Sequence, residues 1–171
     1  RKKEKKVGES LGNGVAMLLT RRFGGARGTS PGPLRKCCGA GMDNRSHLSP
    51  RDGAVLAPTR PERFEQNDPE SLDAALTRHK GKRHLVIVEG IYSMDGDFGN
   101  LNELMDVADA HEASVFVDEA HSMLACGANG RGAVEPFGVE KRLRMLYRTF
   151  SKAFGALGCF VCGSQETREY I

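Results

Sequence analysis

VFVDEAHS, Val115 to Ser122, is the stretch whose reading decides the fold. Its first three residues are apolar without alternation, which predicts a strand buried on both faces, with Asp118 arriving where that strand should end. In an open parallel sheet the edge at the strand C-termini is where ligands bind. A second apolar run, Leu85 to Val88, ends likewise in an acid, Glu89. Between the two runs Leu101, Leu104, Met105 and Ala108 recur at helical spacing, so Leu101 to Ala110 reads as a helix and the whole as a strand, helix, strand unit.

Two further stretches bring chemistry to that edge, VEGIYSMDGD (Val88 to Asp97) and TFSKAFG (Thr149 to Gly155). Together with VFVDEAHS they supply an acid, an imidazole and an amine. The chemistry that fits is that of pyridoxal phosphate, because a carboxylate against the pyridine nitrogen favours the protonated ring and lets it draw electrons from a carbanion. Asp118 is the candidate carboxylate. Lys152, in a Ser/Gly/Ala-rich turn, is the candidate amine for the aldehyde. His121 could reach the ring's phenolic oxygen, and the hydroxyls of Thr149 and Ser151 could serve phosphate oxygens.

The stretch from about Val86 to Ile171 resembles the large domain of the α-oxoamine synthases. These pyridoxal-phosphate acyltransferases include serine palmitoyltransferase, 8-amino-7-oxononanoate synthase, 5-aminolevulinate synthase and glycine C-acetyltransferase. The motifs EGIYSMDGD, DEAHS, GRG (Gly130 to Gly132) and TFSKAFG fall in family order. The resemblance implies Lys152 as the Schiff-base lysine, Asp118 as the partner of the pyridine nitrogen, His121 on the phenolic oxygen, and Ser93 and Thr149 as further cofactor contacts. It also implies that His47, in DNRSHLS, stacks on the cofactor ring and helps position the substrate. DGAVLA (Asp52 to Ala57) and FEQNDPESLDAAL (Phe64 to Leu76) resemble the family's next segments. The implied reaction is a decarboxylative condensation of serine, glycine or alanine with an acyl-CoA, releasing carbon dioxide and coenzyme A. The spellings GIYSMDGD and TFSK lean towards the serine palmitoyltransferase branch, with 8-amino-7-oxononanoate synthase next to it. The implied fold is α/β: part of the large domain of the aspartate-aminotransferase-like fold, a mostly parallel sheet covered by helices, in a homodimer when full length.

Each residue also has a plainer reading. An acid and a histidine after a strand often serve as loop hydrogen-bonding groups, Lys152 alone would be a solvated lysine, Thr149 or Ser151 a cap, and Ser93 a turn residue before Asp95, Gly96 and Asp97. His47 sits in a Ser/Pro/Gly-rich stretch and could be an ordinary loop histidine. A catalytically silent relative of the family is the alternative function. A remoter rival is a helicase-type ATPase, since DEAH also spells a magnesium-binding element. That reading needs a phosphate-binding loop, and Gly81-Lys82 is followed by arginine and histidine instead of a hydroxyl residue.

Composition sets bounds. The chain has 171 residues, 25 of them basic and 22 acidic, for a net charge of +3, and 39% are hydrophobic. RKKEKK (Arg1 to Lys6) is a short mixed-charge run without interleaved aromatics, which does not support a nucleic-acid binder. No apolar run approaches the roughly 18 residues of a membrane helix, so the expected protein is cytoplasmic. Cys159 and Cys162 form a C-x-x-C within an apolar strand-like run, where residues three apart point to opposite faces. Buried reduced thiols are therefore expected, and no metal site.

Residues 1–40 read as a poorly defined basic, Gly-rich segment, and 41–171 as the partial cofactor-binding domain, best matched over 86–171, with no counterpart of the family's small C-terminal domain. Residues 21–50 lack an apolar period and read as loop or disorder, and Leu11 to Leu19 as a short helix. GNGVAML, from Gly12, has glycines without the Ser/Thr-Gly-aromatic turn that holds the cofactor phosphate in the family. Leu124, Cys159 and Arg148 stand where the family usually has glycine, which predicts crowding or an unfavourable backbone angle.

Overall fold

A computed structural model describes residues 4, 6–8, 15–19, 39–46, 61–80, 83–165 and 167. Among these the elements are β1 (Val15–Leu19), β2 (Gly39–Asp43), β3 (Glu62–Phe64), α1 (Pro69–Thr77), β4 (His84–Glu89), α2 (Leu101–Ala110), β5 (Ser114–Asp118), α3 (Val134–Phe137), a 3-10 turn (Glu140–Arg142), β6 (Met145–Thr149) and β7 (Cys159–Gly163). They build one seven-stranded sheet in the order β1-β7-β6-β5-β4-β2-β3. Strands β2 to β6 run parallel, and β7 is antiparallel to both its neighbours. This is the mostly parallel α/β sheet that the sequence predicts.

The continuous apolar runs become the centre of the sheet. All six residues of β4 and all five of β6 are buried, as are the last four of β5. The pleat divides them between two cores. Val86, Val88, Val115, Val117, Leu146 and Phe160 meet Leu72 and Leu76 of α1 and Leu104, Met105 and Ala108 of α2. Leu85, Ile87, Phe116, Met145, Tyr147 and Val161 form the second core on the opposite face. Helix α2 buries Leu101, Leu104, Met105 and Ala108, the stripe read from the sequence; burying a leucine there contributes roughly 2 kcal/mol. Helix α1 starts where Asp68 caps it by accepting the Ser71 N–H at 2.9 Å, with Pro69 in the first turn.

Two local expectations are corrected. Val15–Leu19 is a strand and not part of a helix: it pairs with β7 from Val15 opposite Gly163 to Leu19 opposite Cys159. Five apolar residues suit either state, and the open edge of β7 decides. Within 21–50, residues 39–43 are strand β2, stitched between β3 and β4. Its Gly39 is where a side chain would crowd: a Cβ there would lie 2.8 Å from the His84 ring, whereas one on Gly41 would make only ordinary contact with Leu72 and Leu76 of α1.

Candidate cofactor site

Because β4, β5 and β6 are parallel, their C-termini share one edge, and the register sets Glu89 beside Asp118 and Asp118 beside Tyr147. Alternation puts Glu89 with Leu85 and Ile87, Asp118 with Phe116, and Thr149 with Met145 and Tyr147, so these three polar side chains belong to the second-core face. Asp118 is buried, and its Oδ1 accepts the Ala120 N–H at 2.9 Å, which turns the chain off the strand towards half-buried His121.

Lys152 lies on the loop between antiparallel β6 and β7, which leaves the strand edge and returns to it. Phe150 N–H donates to the Gly158 carbonyl and Ala156 N–H to the Phe150 carbonyl, at 3.0 and 2.9 Å. Inside the loop the buried Thr149 hydroxyl donates to the Gly158 carbonyl at 3.2 Å, accepts the Ser151 N–H at 3.2 Å and lies 2.8 Å from the Ser151 hydroxyl. Thr149 thereby shapes the loop that presents Lys152, whose side chain is exposed. Ser93 sits in an exposed turn closed by Gly96 N–H on the Tyr92 carbonyl and Tyr92 N–H on the Asp97 carbonyl, both 2.9 Å. That turn is tied to the end of β2: the Tyr92 hydroxyl donates to Asp43 at 2.5 Å, both residues being buried, and Arg45 pairs with Asp95. Burial raises both the Asp43 carboxyl and the Tyr92 phenol. His47 lies outside the described residues, as do Cys37, Cys38 and the segment Asp52 to Ala57.

Sequence reasoning missed Glu119. Its carboxylate has no exposure and accepts the Ser122 hydroxyl at 2.7 Å and the Ala133 and Val134 N–H groups at 3.0 Å each. Burial pushes this carboxyl up, opposed by Ser122, the Arg148 charge and the two backbone donors. Both oxygens are thus engaged inside the protein. A Cβ on Gly132, at φ +99°, would fall on Glu119, and one on Gly90 would lie 2.6 Å from it. The only sequence signal was the glycine of GRG itself. Of the three departures, Leu124 has the positive φ, 62°, that its replacement of glycine foreshadows, and Arg148 is fully buried in β6. Cys159 and Cys162 are both buried, in opposite cores. Among the described residues no cluster suits a metal, and no helix is long and apolar enough to cross a membrane.

The donor set on this edge fits pyridoxal phosphate in its chemistry: a buried carboxylate suited to a protonated ring nitrogen, an imidazole three residues on, and a primary amine on an exposed loop beside them. The sequence pattern of one family, described as aminotransferase class I and II, matches residues 19–171. The 8-amino-7-oxononanoate synthase of Alcanivorax borkumensis is 34% identical over 98% of this chain and 44% of its own. The serine palmitoyltransferase of Sphingobacterium spiritivorum is 31% identical over 98% of this chain and 42% of its own. Among solved structures, serine palmitoyltransferase from S. paucimobilis with bound PLP and myriocin has a TM-score of 0.92 and 34% identity, covering 98% of this chain and 42% of that one. The Sphingomonas wittichii enzyme of the same name has a TM-score of 0.86 at 33% identity, over 97% and 42%. The chain therefore spans less than half the length of these relatives.

Proposed function

The chain belongs to the aminotransferase class I and II family, and from that premise we propose that it forms the cofactor-binding part of an α-oxoamine synthase condensing an amino acid with an acyl-CoA. Pyridoxal phosphate is the cofactor, as in the serine palmitoyltransferase structures it resembles. When bound, it supplies an aldehyde for an amine and a ring that draws electrons from the substrate α-carbon. The observation that supports the reading is the common edge of β4, β5 and β6, at which Asp118 ends its strand and from which the segments carrying His121 and Lys152 depart.

In this reading Asp118, kept from water, holds positive charge at the ring nitrogen, and His121 holds the phenolic oxygen. Thr149 and Ser93 are cofactor contacts, with Thr149 also fixing the loop that presents the amine. The exposed Lys152 amine would hold the aldehyde and, once the substrate's own amine has displaced it, would be free to take up and return the proton at the substrate α-carbon. His47 stacks on the ring and orients the substrate. The substrates are serine, glycine or alanine with an acyl-CoA, and the whole protein is a cytoplasmic homodimer. Residues 41–171 form part of its large domain, after an N-terminal segment of residues 1–40.

Adding pyridoxal phosphate to the purified chain, reducing with borohydride and mapping peptides by mass spectrometry tests this. One pyridoxyl mark on Lys152, lost in Lys152→Ala, is the expected result. Marks scattered over surface lysines would refute the assignment. Leu124 and Arg148, placed where relatives usually have glycine, favour a second reading, a relative that binds cofactor without turnover. It predicts the Lys152 mark without carbon dioxide release from any of the three amino acids with an acyl-CoA.

A further inference from the structure

Arg148 is an expensive residue at an unexpected place. It stands in central strand β6 with no exposure, on the helix-covered face with Leu146. Burying a guanidinium is costly unless acceptors and a counter-charge meet it, and an apolar side chain would fill the same space without that cost. What Arg148 meets is specific. Its Nη2 donates to the Arg131 carbonyl at 2.6 Å, its Nη1 lies 3.9 Å from Cys162 Sγ, and its Nε is buried without an acceptor among the described residues. Its charge acts on Glu119, whose carboxylate takes Ala133 and Val134 from the same loop.

The pleat gives this arrangement its meaning. Asp118 and Thr149 belong to the face of the candidate site, while their sequence neighbours Glu119 and Arg148 belong to the opposite face. The GRG segment is gripped there from both sides, by its carbonyl at Arg131 and by the N–H groups just after it. Glu135 clasps its outer side by accepting the Arg131 N–H at 3.0 Å.

We propose that Arg148 is a positioning residue: held on the Arg131 carbonyl, beside the backbone N–H groups that Glu119 accepts, it locks residues 119–134 onto β6 and so fixes the segment that begins after Asp118 and carries His121. The positioning role rests on the cofactor reading above; the lock does not.

Backbone hydrogen exchange and pyridoxal phosphate titration of the 171-residue chain separate the two. In Arg148→Met, exchange at Ala133 and Val134 is expected to quicken roughly tenfold relative to Val86 to Val88, and cofactor affinity to fall roughly tenfold. Arg148→Lys should restore part of both, and the double variant Arg148→Met/Glu119→Gln should lose less than the two single changes summed. Unchanged exchange in Arg148→Met overturns the lock. Faster exchange with unchanged affinity overturns the positioning role. If Arg148→Met does not fold, Arg148→Lys decides: a smaller quickening confined to 119–134 supports the lock, and none refutes it. If the unaltered chain takes no cofactor on Lys152, the cofactor reading falls and the positioning role with it, while exchange still judges the lock.

Discussion

Asp118 and Glu119 are adjacent in sequence and diverge in space, one turned to the candidate site and the other inward to Ser122, Ala133 and Val134. Motif spelling made Asp118 legible and left Glu119 without a role, because its partners lie up to 15 residues away. Leu124 shows a backbone rule visible in advance. It is half exposed at φ 62°, a left-handed conformation that costs a side chain about 1 kcal/mol. Leu124→Gly should stabilise the chain by up to about 1 kcal/mol, read from the urea midpoint, and a loss would mean that the leucine's contact over Gly130 outweighs the angle. Asp43 carries a pH prediction. Burial raises its carboxyl against the hydrogen bonds from Tyr92 and the Arg45 N–H. Folding then favours the protonated acid, so its contribution to stability is full below the ordinary aspartate range and is lost as pH rises through the folded value. Asp43→Asn cannot titrate at this position. The stability of the unaltered chain minus that of the variant should therefore fall from about pH 4 towards neutrality; a flat difference would show an unperturbed carboxyl.

Elements were legible where one period dominates. The α2 stripe and the unbroken runs of β4 and β5 each fit a single template. VAMLL in β1 fits two, and GAGMD in β2 fits none well, since glycine disfavours strands and only the partners on both sides of β2 hold it there. The end of α2 offers a clean test. Ala113 N–H donates to the Ala108 carbonyl at 2.8 Å and Glu112 N–H to that of Asp109 at 3.0 Å, a Schellman closure with Glu112 at φ 51°. That position suits glycine. Glu112→Gly should raise thermal stability by about 1 kcal/mol at the midpoint, and an unchanged midpoint would mean that the glutamate is not strained there.

At the scale of the whole molecule, the order β6-β5-β4-β2 was not readable from spacing, because sequence separation does not say which strands become neighbours. What could be read was that buried parallel strands end in acids, and that alone puts Glu89 and Asp118 on a common edge. The antiparallel direction of β7, the one reversed strand among the described residues, has a kinetic consequence. It makes the connection carrying Lys152 a hairpin of nine residues, Phe150 to Gly158, between paired strands. Closing so short a loop costs little entropy and is fast, whereas bringing β4 between β2 and β5 joins segments far apart in the chain. The amine's perch can therefore assemble early and locally. The strand edge beside it must wait for the slow, distant pairings that set Asp118 in place.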